Sequence, residues 1–157
     1  VENHELVIVY VPYVNINNYI YDLFGEFNYM HNDTVLLQSL MNNQTQNQEI
    51  TCFVHVSKDQ LDITVLNQRK LMLYNSFKYD TKEDFAYYLL FVLEQLELDP
   101  KTAIVKLFGD IEEDDATFKL CYNYIQHISI FAPSTQQLIK LGEPSSSSID
   151  FTLINTI

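Results

Sequence analysis

The stretch ITCFVHVSKDQLDITVLNQRKLMLYNSF, running from Ile50 to Phe77, decides the fold. Ile50, Cys52, Val54 and Val56 alternate along its first part, and Leu61, Ile63 and Val65 along its second, with Asp62 and Thr64 turned the other way. Residues 70–77 make a third apolar run. Alternation at period two is the signature of a strand with one buried face. The links Ser57–Gln60 and Asn67–Arg69 are short enough for hairpin turns, so the stretch predicts an antiparallel meander of three strands.

Downstream, Thr81-Lys-Glu-Asp84 supplies a capping-box start, with Asp84 in place of the commoner Glu. Phe85, Tyr88, Leu89, Val92, Leu93 and Leu96 follow at helical spacing, and Asp99-Pro100 is expected to end that helix. Residues 103–108 predict a strand, Gly109 a turn, residues 112–126 a helix opened by four acids, and residues 127–131 a last strand before Pro133. Beyond it lie a weakly amphipathic piece at 136–141, a linker-like Gly142–Ser148 and an apolar end at 149–157.

Upstream, residues 5–11 (ELVIVYV) are a continuous β-branched run closed by Pro12, the pattern of a strand buried on both faces. Asn15 or Asn17 can cap a helix reaching Gly25, with Ile16, Ile20, Leu23 and Phe24 on one side. Residues 27–31 predict a short strand. Asn32 or Asp33 then caps a helix that buries Val35, Leu36, Leu37 and Leu40, and the polar residues 42–49 form a loop between lobes. Strand–helix–strand–helix in this order normally gives parallel strands. No internal repeat stands out in the sequence. Beginning at Val1 rather than Met, the chain reads as trimmed or as the rear portion of a longer protein.

Composition narrows the function. A 157-residue chain that is 47% hydrophobic, with 11 Tyr and 10 Phe, has enough apolar side chain for a real core. The net charge of −12, from 21 acids against 9 bases without a basic cluster, argues against nucleic acid and against an anionic membrane surface. No run has the length of a membrane span and no signal peptide opens the chain, so the expectation is a cytoplasmic protein. Cys52 and Cys121 read as buried thiols, a bridge between them being the alternative.

The whole order resembles the actin-like ATPase fold shared by actin, Hsp70 and the sugar kinases, with pilus-assembly and secretion proteins closest in layout. The phrases Leu73-Tyr-Asn-Ser-Phe77, Asp84-Phe-Ala-Tyr-Tyr-Leu-Leu-Phe-Val-Leu-Glu-Gln-Leu96 and Leu107-Phe-Gly-Asp-Ile111 also resemble an uncharacterised Bacteroidetes family, domain of unknown function 3822. The resemblance implies an α/β protein of ribonuclease H-like lobes, each a mixed sheet with an antiparallel three-strand meander and flanking helices. It divides the chain into the rear part of a first lobe (1–45), a second lobe (46–133) and a C-terminal tail (134–157).

It also implies where nucleotide would sit. The phosphate loop of the second lobe corresponds to Ser57, Lys58 and Asp59, which keep an acid but have no glycine; the adenosine-side loop corresponds to Gly109 and Asp110, with one glycine. Glycines in such loops let backbone N–H groups approach phosphate. Glu112, Glu113, Asp114 and Asp115 crowd the same region and would repel it. An ordinary polar hairpin therefore outweighs a Mg²⁺ or phosphate site at residues 57–59.

His4, His31, His55 and His127 show no metal spacing, and no metal is expected. A triad of His55, an acid and Ser57 can be drawn, but no nucleophile elbow supports it. Tyr10, Tyr13, Tyr19, Tyr21, Tyr87, Tyr88, Tyr122 and Tyr124 give several elements an aromatic side; such stripes are core more often than interface. The expectation is a non-catalytic interaction or scaffold protein without cofactor, working through a protein partner or self-association. Two alternatives stand beside it: an ATP/Mg-binding protein using Ser57, Lys58, Asp59, Gly109 and Asp110, and a sugar-kinase-like enzyme.

Overall fold

A computed structural model describes residues 6–43 and 49–131. The meander forms as its alternation requires: β1 (Thr51–Val56), β2 (Gln60–Asn67) and β3 (Lys70–Lys78) pair antiparallel in succession. Between β2 and β3 only Gln68 and Arg69 turn the chain, both at positive φ (50° and 69°). That is the geometry a two-residue hairpin needs to match the twist of its strands, reached here without glycine. The register slips between Val65 and Leu66, where a bulge sets Met72 of β3 out of the ladder.

Helix α1 (Val14–Phe24) and helix α2 (Asn32–Asn43) precede the meander; α3 (Lys82–Gln95), β4 (Ile104–Gly109), α4 (Ala116–Tyr122) and β5 (His127–Ile130) follow it. β4 and β5 lie parallel to β1, giving the sheet order β3-β2-β1-β4-β5. The capping box of α3 is complete: the Asp84 amide donates to Thr81 Oγ1 at 3.1 Å and the Thr81 amide donates to Asp84 Oδ2 at 3.0 Å. The Thr81 hydroxyl, donating to Asp84 Oδ2 at 2.8 Å, and the Thr81 amide hold the Asp84 carboxyl below its ordinary pKa.

The sheet is covered on both faces. Cys52, Val54, Leu61, Ile63, Val65, Val105 and Leu107 pack beneath Phe85, Leu89, Val92 and Leu93 of α3 and Phe118 and Cys121 of α4. Phe53, Leu66 and Phe108 on the other face meet Leu36, Leu40 and Met41 of α2. Both cysteines are free and buried, and burial pushes each thiol up to about 12.

Several expectations need correction. Residues 7–11 belong to no sheet among the described residues, and Val7, Val9 and Val11 are exposed rather than buried on both faces. Residues 27–31 form no strand either, and α1 buries no residue. A strand exists only with a neighbour to bond, and among the described residues this part of the chain has none beside it. Six of the eight tyrosines noted above are exposed, against the expectation of core; Tyr10 and Tyr88 are half-buried. The helix expected over 112–126 is only α4, because buried Ile111 anchors the preceding loop and Asp115 Oδ2 accepts from the Glu112 amide, turning the four acids outside it. α3 stops before Asp99-Pro100: Glu97 turns left-handed (φ 55°), and the Leu98 amide donates to Leu93 O and the Glu97 amide to Glu94 O, a Schellman ending. The features anticipated at 136–157, and with them the tail, lie outside the described residues.

Candidate functional site

The two loops singled out in the sequence meet at one end of the sheet, past the carboxyl ends of β1 and β4. In open α/β sheets that end is where ligands are bound. β1 and β4 run side by side with Val56 opposite Gly109, so the Ser57–Asp59 turn and the Gly109–Asp110 turn are neighbours. Tyr79 braces the first: its hydroxyl donates to Ser57 O at 2.9 Å and its amide to Asp59 O at 3.1 Å.

Four backbone amides there are already committed. The Ser57 amide donates to Gln60 O at 2.8 Å, and the Asp110 amide to Val56 O at 2.8 Å. The Ile111 amide donates to Gly109 O at 3.0 Å, and the Glu112 amide to Asp115 Oδ2 at 2.9 Å. A phosphate cradle needs several N–H groups turned outward together. These four instead close turns within the chain.

Gly109 has a structural reason of its own. It sits at φ 98°, and a Cβ there would lie 2.3 Å from Val56 O and 3.0 Å from the His55 ring. The space a ligand would use at a phosphate glycine is filled by the neighbouring strand. The charge is adverse as well. Burial raises the Tyr79 phenol, and the negative charges of Asp110, Asp59 and Asp115 raise it further, which gathers three acids around one hydroxyl.

On the face under α2, the sequence hides a polar cluster. Asp62 Oδ1 accepts from Gln60 Nε2 and from Ser76 Oγ, each at 2.7 Å, and Asp62 Oδ2 lies 3.3 Å from His55 Nδ1. The carboxylate is almost fully buried. Burial alone would raise its pKa, but the hydrogen bonds from His55, Ser76 and Gln60, with the charge of His55, hold it below the ordinary value. His55 also lies against the Phe108 ring, centroids 5.1 Å apart. Beside this cluster Thr64 and Tyr74 each bury a hydroxyl that makes no hydrogen bond of proper geometry within the described residues.

The arrangement is not a nucleophilic triad. The serine in the network, Ser76, bonds the acid rather than the imidazole, and Ser57 serves the turn through its backbone. Among the described residues no three His, Cys, Asp or Glu side chains are placed to hold a metal ion. A cavity of about 470 Å³ opens at the opposite end of the sheet, between Ile50, Asp99, Ala103, Ile104 and His127. It lies away from both loops. No helix among the described residues is long and apolar enough to cross a membrane.

Asp62 was legible only as the polar half of an alternating strand. What marks it is α2 lying over that half, which the sequence of β2 alone does not reveal.

One solved structure matches this architecture well and two others match it weakly. A Bacteroides thetaiotaomicron protein with actin-like ATPase fold and unknown function is 23% identical, at a TM-score of 0.67 over 73% of this chain and 45% of that one. The chain thus spans less than half the length of that protein. An AlfA filament bound to AMPPNP matches at 15% identity and a TM-score of 0.44, over 71% of this chain and 37% of that one. A foamy viral protease-reverse transcriptase in complex with dsDNA matches at 16% identity and 0.32, over 80% and 36%. No curated protein matches the sequence. The mixed five-stranded sheet with flanking helices is that of the actin-like ATPase fold. The family model described as "Protein of unknown function (DUF3822)" matches residues 1–128, and the chain belongs to that family.

Proposed function

We propose that this protein is a non-catalytic interaction or scaffold protein that keeps an actin-like ATPase fold without the ATPase. One observation carries the reading. At the end of the sheet where phosphate would be held, the amides of Ser57, Asp110, Ile111 and Glu112 are bonded within the chain, and Val56 O fills the room beside Gly109. Asp59, Asp110 and Asp115 around Tyr79 add charge of the wrong sign for a phosphate. Function in this reading comes from surface, through a protein partner or through self-association, with no ATP or Mg²⁺ at the loops.

The nucleotide-binding alternative has one observation in its favour: Ser57, Lys58 and Asp59 are neighbours of Gly109 and Asp110 at the right end of the sheet. To bind, both turns must open and give up the bonds just described. The sugar-kinase alternative needs, in addition, a catalytic acid facing a substrate, and Asp62 is occupied by three side-chain partners.

Calorimetric titration with Mg·ATP separates the readings. The expected result is no heat of binding up to millimolar nucleotide. Saturable binding that is lost on Asp59→Asn would establish the nucleotide reading in its place.

A further inference from the structure

The Ser57 and Gly109 turns close the carboxyl end of the parallel strands with their own bonds, and the amino end is built differently. There the starts of three strands lie side by side, since Thr51 of β1 pairs with Ile104 of β4, and Ile104 with His127 of β5. The cavity of about 470 Å³ opens across these starts. Sites that take up a ligand typically enclose roughly 300–1,000 Å³. The chain between α3 and β4 shapes one side of the cavity. Asp99 O accepts from the Thr102 and Ala103 amides at 2.9 and 2.8 Å, and Asp99 Oδ1 accepts from the Lys101 amide at 2.9 Å. The Gln126 amide donates to Pro100 O at 3.1 Å, which ties the start of β5 to the same loop.

The lining divides in two. Ile50, Leu98, Ala103 and Ile104 give apolar walls, while Glu49, Asp99 and His127 are exposed and bring the polar groups. Among the described residues, Asp99 Oδ2, the Glu49 carboxylate and the His127 imidazole have no hydrogen-bond or ion-pair partner. No Lys or Arg lines the cavity, so its charge disfavours an anion. Its three polar side chains are not placed to hold a metal ion either. Apolar walls with two acids suit an aliphatic stem that ends in a positive head, and walls of low dielectric strengthen the pull of those acids. Of the two such side chains, arginine fits better: its planar guanidinium forks onto carboxylates and stacks on an aromatic ring.

We propose that this cavity is the docking site for an arginine side chain presented by a partner polypeptide. The stem lies along Ile50 and Ile104, and the guanidinium reaches Glu49, Asp99 and His127. The inference rests on the reading of this chain as an interaction protein, and it names the chemistry that the partner must show. The net charge of −12 draws a basic segment toward the chain before it docks.

The test is a titration of the 1–157 chain, its amide shifts read by two-dimensional NMR. Three probes are compared: acetyl-Gly-Arg-Gly-amide, the same peptide with citrulline for arginine, and spermidine. The arginine peptide is expected to move the amides of Ile50, Ala103, Ile104 and His127 saturably. The neutral citrulline peptide should bind roughly tenfold more weakly, the loss of about one charge-assisted hydrogen bond. Glu49→Gln and Asp99→Asn should each weaken the arginine peptide by a similar factor, and asparagine keeps the acceptor for the Lys101 amide. No saturable shift, equal binding of the citrulline peptide, or wild-type affinity in both variants overturns the proposal. Tighter binding of spermidine also overturns it, and makes a free polyamine the ligand. Should Asp99→Asn fail to fold, Glu49→Gln, at an exposed residue, decides. Binding of Mg·ATP would strike the proposed function while leaving these shifts in place, whereas absent shifts without Mg·ATP binding strike the arginine site alone.

Discussion

Residues 6–31 and residues 104–131 are built from similar material, an apolar extended stretch, a helix and a second apolar stretch, yet they end up differently. In the second, Val105 and Leu107 are fully buried and hold the middle of a sheet. In the first, Val9, Leu23 and Phe24 face outward and no ladder forms among the described residues. Local sequence is much the same in kind; what separates them is a neighbour. A strand's hydrogen-bonding groups and both its faces are satisfied by other segments, so its stability is a property of the set.

Paired substitutions sharpen that contrast. Leu107→Ala removes a side chain packed from all sides and should cost about 3–5 kcal/mol in chemical denaturation, whereas Leu23→Ala in the 1–157 chain should change it by less than about 0.5 kcal/mol. Comparable losses at both sites would mean that residues 6–31 are covered after all. The two described glycines make a finer version of the same experiment. Both lie at positive φ, but Gly25 has nothing within 4 Å of an added Cβ while Gly109 has Val56 O at 2.3 Å. Gly109→Ala should therefore cost about 3 kcal/mol or more, strain and collision together, and Gly25→Ala about 1–2 kcal/mol from strain alone.

A modest effect concerns Asp62. Its folded carboxyl titrates below the ordinary value, so it stabilises the fold above about pH 4. That contribution is lost as pH falls through the lowered value. Asp62→Asn should cost on the order of 1 kcal/mol at neutral pH and flatten the acid limb of the stability curve. An unchanged acid limb would show that the His55, Gln60 and Ser76 bonds do not favour the charged form.

How much of this was readable beforehand follows from the same distinction. The meander, the α3 cap and the strands β4 and β5 rest on alternation, capping chemistry and short apolar runs, which are local, and they form as read. The misread features depend on something elsewhere in space. Residues 5–11 carry a strand pattern whose partner is not written in these residues. Asp62 looks solvent-facing until α2 covers its side of the sheet, and the acids at 112–115 look like a helix start until Ile111 pins the loop inward. Gly109 looks like a vestige of phosphate binding, yet its lack of a side chain is required by the approach of Val56. For the candidate site, sequence located the loops and structure supplied the bonding that fills them.

The bulge opposite Val65 and Leu66 bears on behaviour in a crowded solution. Among the described residues β3 is the outermost strand, and nine residues of edge invite a stray chain to zip on. Displacing Met72 interrupts that edge in its first half, and Lys70 and Lys78 place a charge at each extremity. At the other margin β5 is only four residues long. The sheet is thereby shielded against sideways aggregation at both borders.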